Sequence, residues 1–362
     1  MATEIKVVLF EDVRETRSEI LDALQKCLKS DGAVLPFDAE LFKEPTASQN
    51  RMYEDRLESI LSKPPYDGAT LLVADRDLSM SPNFQGMSVS AVIEAAKRLG
   101  IAICAYARQP APEDYKWRVR WEEGHVILSS TEDADLAREA IVAARGFAEI
   151  ASMLPAIVKD EMSKSPAKTL AALLGKPEYA DKIALYGVGD QNRLSQVPAK
   201  GKKDNGDWVR RIGCFLGYWL WDSILRYPGL LVNEVAAASH LNIATADFRK
   251  GNVRGVFDNA LYDGPFADPD RPHWWRGMMD DIVSREGYND GLELIRQKLG
   301  EIFTSSQCWV DPSKPAGYYC IISEKPVSLE NSRGGLSWLP RGADLSRITT
   351  SLFEEYGPWI GS

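Results

Sequence analysis

Four carboxylates are the first side chains in this sequence able to do chemistry together. Glu11 and Asp12 follow the apolar run IKVVLF at 5–10, and Asp75 and Asp77 close a second run, LLVADRD at 71–77. Acids gathered in one crevice repel, so without a cation one of them should hold a proton at a raised pKa. A hard divalent cation such as Mg²⁺ removes the conflict by taking carboxylate oxygens, a backbone carbonyl and waters. The alternative is that all four are solvated loop acids at strand ends. Other chemistry is sparse. His125, His240 and His273 are scattered, without metal-ligand spacing to Cys or acids. There is no G-x-S-x-G, Walker loop or G-x-G-x-x-G. With no nucleophile or base to name, the sequence reads as non-enzymatic.

The elements that must position these acids follow a regular rhythm. The run at 5–10 is continuous, β-branched and apolar, as in a parallel strand buried on both faces. Helical spacing follows at 14–29, with Ile20, Leu21, Leu24, Cys27 and Leu28 on one side. Further strands read at 33–37, 70–74, 101–106 and 126–128, with helices at 50–61, 89–98 and from about Asp133. Strands alternating with helices predict a doubly wound, five-stranded parallel α/β sheet over 1–148. Ligands of such sheets sit beyond the carboxyl ends of the strands. If the first and third strands are neighbours, their terminal acids converge there.

These residues carry a family resemblance. The first 148 residues resemble the receiver domain of bacterial response regulators, through IKVVLFED at strand one, LLVADRDLS at strand three, Gly86-Met87 before the next helix and Glu123-Gly124 before strand five. The resemblance implies that Glu11 and Asp12 hold Mg²⁺, that Asp75 is the phosphoacceptor, and that Asp77 stands where a backbone carbonyl reaches the metal. Two positions depart from the pattern. Where the family has Ser or Thr at the end of strand four, this sequence has Ala105-Tyr106; where it has Lys-Pro at the end of strand five, this sequence has Ser129-Ser130. A lysine at about 4 Å is worth roughly 4 kcal/mol to a phosphoryl anion at an effective dielectric near 20. Arg76 and Arg108 are the cations nearest in sequence, at other positions. An extra loop stands at about 39–49. The expectation is a degenerate receiver, with the fold kept and the phosphoswitch weakened.

Composition narrows the setting. The chain has 362 residues, 44% of them hydrophobic and 26% charged, which excludes wholesale disorder. Its net charge is −9, of which the first 150 residues carry −8, so the N-terminal part repels phosphate backbones. No run of uncharged apolar residues reaches the roughly 18 of a membrane span, and the acidic N-terminus does not read as a signal peptide. Five scattered cysteines argue for reduced thiols in a cytoplasm rather than a disulfide framework.

The C-terminal half is a different material, holding eight of the ten Trp. A helical connector and polar loop read at 149–206, with Pro155 as a kink, and a mainly helical Trp-rich domain at 207–362. Helices read at 207–227, 231–242 (with Asn233 as N-cap), 248–260, 273–284 and 290–303, and a terminal helix near 345–356. A small hairpin reads at 307–323, turning at Pro315-Ala-Gly317. Its aromatic content is that of protein interfaces, so the expected partner is another protein or a second copy of the chain. The other reading is a DNA-binding regulator. Residues 234–250 loosely resemble a helix-turn-helix, with Arg249, Lys250 and Arg254 as candidate contacts. Lys200, Lys202 and Lys203 lie in a polar linker.

Overall fold

The computed structural model describes residues 4–43, 52–78, 84, 87–107, 124–128, 132–158, 165–187 and 207–360. Gly86, Arg108, Glu123, Ser129, Ser130, Lys200, Lys202 and Lys203 lie outside the described residues. The described chain forms two compact units. The first holds the described residues through Gly175 together with 207–219; the second holds 176–187 and 220–360.

In the first unit, β1 (Ile5–Phe10) leads through α1 (Arg14–Leu28) to β2 (Gly32–Pro36). Then come α2 (Glu40–Lys43), α3 (Tyr53–Leu61), β3 (Leu71–Asp75), α4 (Val89–Leu99), β4 (Ala102–Tyr106), β5 (Val126–Ile127), α5 (Asp133–Val158) and α6 (Pro166–Leu173). The five strands form one parallel sheet in the order β2-β1-β3-β4-β5. This is the expected doubly wound α/β fold. Its strands are apolar on both faces because both are covered. Val8, Phe10, Leu72, Ala74 and Ile103 pack under α3 and α4, against Leu57, Leu61, Val92 and Ala95. Phe10 and Phe37 stack at 4.2 Å between centroids. Helices α1 and α5 pack against each other, α1 touching β2 and α5 touching β1, β3 and β4.

Helix α5 is 26 residues, long and apolar enough by length and composition to cross a membrane. In this structure it carries a buried face that includes Leu136, Ile141, Phe147, Ile150 and Leu154, and it runs through Pro155 to Val158. After α7 (Ala180–Ala184), which belongs to the second unit, α8 (Asp207–Trp219) returns to the first and packs on α5 and α4. Sequence pattern alone assigns α8 to the C-terminal domain. Close approach to α5 is set by Gly213 and Gly217: a Cβ on Gly217 would fall 2.3 Å from Phe147 Cε1. Tyr218 then reaches the sheet, where its hydroxyl accepts the Ile103 N–H at 2.8 Å. That donor belongs to β4 beyond the two-residue β5, whose register begins at Cys104↔Val126.

After α7 the second unit resumes with a π-helix, Leu220–Leu225, where the sequence pattern predicts a continuous helix to 227. Residues 231–242 divide into β6 (Leu231–Asn233) and α9 (Glu234–His240), and Asn233 does cap α9, its Oδ1 accepting the Ala236 N–H at 2.9 Å. The 248–260 stretch breaks into α10 (Thr245–Phe248), α11 (Gly251–Gly255) and a 3₁₀ turn. β7 (His273–Trp275) pairs with β6 and leads into α12 (Arg276–Arg285) and α13 (Gly291–Leu299). The hairpin turns later than expected: β8 (Tyr318–Cys320) and β9 (Lys325–Val327) reverse at 321–324, with Glu324 at φ 55°. β10 (Ser332–Arg333) and β11 (Ser346–Thr349) complete a four-stranded sheet, and α14 (Thr350–Ile360) ends the described chain.

Candidate metal centre

The order β2-β1-β3 places a topological switch between β1 and β3, the position where open parallel sheets bind ligands. Glu11 and Asp12 are the two residues after β1, and Asp75 is the last of β3. In-register pairing of these strands, Phe10 opposite Ala74, brings the three acids to one crevice. One carboxylate oxygen from each lies within 4.8 Å of the others, and the group can hold a metal ion. Glu11 is 1% exposed and Asp12 7%, so neither is a solvated loop acid. Among the described residues this is the one group of three or more His, Cys, Asp or Glu gathered closely enough for such a role.

The electrostatics follow from the burial. Two ionised carboxylates within 4.8 Å of each other repel by at least roughly 3 kcal/mol at an effective dielectric of 20. The Asp75 carboxyl is pushed up to about 6, first by burial and then by the charges of Glu11, Asp12 and Asp77, against a hydrogen bond from the Asp77 N–H. Anion repulsion of this kind is what a divalent cation offsets.

Asp77, which the resemblance places where a backbone carbonyl reaches the metal, keeps its side chain outside the trio. It is exposed, and its contribution is the backbone N–H that donates to Asp75 Oδ1 at 3.0 Å. This local turn aims Asp75 inward and leaves the Asp77 side chain outside.

The contact that sequence reasoning missed is made by Tyr106. It ends β4 directly opposite Asp75, and its ring is fully buried. Its hydroxyl donates to Glu11 Oε2 at 2.6 Å, while the Val13 N–H donates to Glu11 Oε1 at 2.9 Å. The available signal was that a buried phenol usually finds a hydrogen-bond partner, and that the ends of β1 and β3 offer carboxylate acceptors.

The candidate DNA contacts are arranged otherwise. Arg249 Nε lies 2.6 Å from Glu234 Oε2, Lys250 Nζ 2.8 Å from Asp247 Oδ1, and Arg254 pairs with Glu234. The helices carrying them, α10 and α11, are four and five residues long. His240 meets Asp280 at 2.6 Å and His273 meets the Leu225 carbonyl at 3.0 Å, each apart from the acidic trio. No family model matches the chain, and no curated protein or solved structure matches it significantly.

Proposed function

We propose that the first unit is a receiver-like module that binds Mg²⁺ through Glu11, Asp12 and Asp75, in a non-enzymatic signalling or adaptor protein. The observation that carries this reading is the convergence of three buried or half-buried carboxylates from β1 and β3 at the switch point of a 2-1-3-4-5 sheet. An all-oxygen donor set suits a hard divalent cation, which neutralises the carboxylate charge when bound. Both hallmarks of the phosphoswitch are absent from the sequence: Tyr106 stands where a small hydroxyl is expected, and Ser129-Ser130 replaces Lys-Pro. Asp75 therefore serves as a ligand rather than as a phosphoacceptor. The second unit supplies the partner surface. Trp309, Val310 and Leu329 are substantially exposed, and aromatic side chains are common anchors of protein interfaces. Five free thiols fit a reducing cytoplasm.

Calorimetric titration of the full chain with MgCl₂ tests the site. Saturable binding that Asp75→Asn removes is expected, and binding that survives Asp75→Asn overturns the reading. Acetyl phosphate treatment followed by a phosphate-affinity gel tests the silent switch: no Asp75-dependent band is expected. The DNA reading is the weaker one, because Arg249, Lys250 and Arg254 are already paired with acids of their own segment. Salt-dependent retention of random duplex at about 50 mM salt would revive it.

A further inference from the structure

The geometry points to Tyr106 as a positioning residue of the cation site: its phenol fixes Glu11 so that the carboxylate stays turned toward Asp12 and Asp75. This inference rests on the reading of Glu11, Asp12 and Asp75 as a cation site, and it adds the control of that site by a third strand. A glutamate side chain has three rotatable bonds, and ordering such a chain costs up to about 2 kcal/mol. Two donors on different oxygens supply that order here. The Val13 N–H holds Oε1 at 2.9 Å and the Tyr106 hydroxyl holds Oε2 at 2.6 Å. The second distance lies in the range of short, charge-assisted O–H···O⁻ bonds.

Tyr106 is suited to the task because it cannot itself move. Its ring is 0% exposed. Its backbone pairs with Asp75 in the β3–β4 register, and its carbonyl accepts the Arg76 N–H at 2.9 Å. The phenol is thus a rigid arm from β4, anchored beside one ligand and holding another. Without its hydroxyl, Glu11 Oε2 loses the donor that joins it to β4.

Two effects of removing the hydroxyl oppose each other. A donor on a ligand oxygen draws electron density from it, so its removal could tighten cation binding. Loss of orientation weakens binding, and outer partners of metal ligands typically contribute about 10–100-fold in affinity. Orientation wins here because Glu11 is 1% exposed, so bulk water has little access to replace the lost donor.

The test is Mg²⁺ and Mn²⁺ titration calorimetry of the full chain at about pH 8, above the titration of Asp75. Wild type, Tyr106→Phe, Tyr218→Phe and Asp75→Asn are compared. Tyr106→Phe should weaken both ions by about 10–100-fold, while Tyr218→Phe, which removes another buried hydroxyl bonded to the same strand, should stay within about twofold. An independent readout needs no Tyr106 variant: the near-UV tyrosine difference spectrum of the wild type should change saturably with Mg²⁺, at the calorimetric midpoint, and should not change in Asp75→Asn. Unchanged or tighter binding by Tyr106→Phe, an equal loss in Tyr218→Phe, or a silent tyrosine spectrum during cation binding overturns the role of Tyr106 alone. Absence of Asp75-dependent binding in the wild type overturns the cation site, and this inference with it.

Discussion

Asp75→Asn should make the protein more stable at high pH whenever divalent cations are withheld. The Asp75 carboxyl is raised from 3.8 to about 6, chiefly by burial and then by Glu11 and Asp12. The folded state therefore holds a proton through a pH window in which the unfolded chain has released it, and stability falls as pH rises through that window. At 1.36 kcal/mol per pH unit the ceiling is about 3 kcal/mol. Screening of a partly exposed carboxylate reduces this to about 1–2 kcal/mol. Asparagine keeps the shape, has no proton to lose and escapes the penalty. For a unit of roughly 200 residues, the gain corresponds to about 2–8 °C in the unfolding midpoint.

Differential scanning calorimetry of the full chain in chelator, at about pH 8 and about pH 4, measures it directly. The variant should unfold at higher temperature than the wild type at the upper pH, and the two should converge at the lower. Excess Mg²⁺ should then reverse the order at the upper pH, because an ion at 100 times its Kd stabilises only the binding-competent wild type, by about 2.7 kcal/mol. A variant no more stable than the wild type in chelator at pH about 8 would refute the claim that ionised Asp75 is penalised by burial and by its neighbours. An equal gain at both pH values would assign the effect to packing instead.

Three further outcomes follow from packing. Tyr218→Phe strands the buried Ile103 N–H, which its hydroxyl accepts at 2.8 Å, and should cost about 1–3 kcal/mol in denaturant unfolding. Gly217→Ala places a Cβ 2.3 Å from Phe147 Cε1. Overpacking of about 1–3 kcal/mol should outweigh the roughly 1 kcal/mol gain in helix propensity, so the midpoint falls rather than rises. Asp222 is 4% exposed and lies 2.6 Å from Arg226. Asp222→Ala leaves the guanidinium, itself 30% exposed, without that partner and should destabilise the second unit by about 1–3 kcal/mol, whereas Lys298→Ala, at a surface pair with Glu286, should change the midpoint by less than about 1 kcal/mol.

What was legible in the sequence divides along a physical line. β1, β3 and β4 were readable because each is a run of five or six residues, buried on both faces and bounded by polar residues. Glu11, Asp12 and Asp75 inherit their positions from those strand ends, so in-register pairing was enough to bring them together. In the second unit, β6, β7, β8 and β9 are three residues each, too short for a period of two to register. The hairpin was misplaced because Pro315-Ala-Gly317 has turn chemistry, whereas the actual reversal uses Glu324 at positive φ, a conformation its side chain does not announce. The Asp77 side chain lies outside the trio for a local reason: its N–H turns back onto Asp75, a choice of turn rather than of residue type.

Tyr106 belongs to neither class, and on the proposed reading it separates this site from a phosphoswitch. Its position opposite Asp75 follows from β4 alone, but its bond to Glu11 requires the relative depth of three strands and the rotamer of a glutamate. A small hydroxyl at that position could move without disturbing Glu11, Asp12 or Asp75. A fully buried aromatic ring joined to one of them couples any displacement of the β4 end to Glu11. The same substitution that argues against switching by Asp75 therefore argues for a fixed cation site, and the Tyr106→Phe titration bears on both conclusions at once.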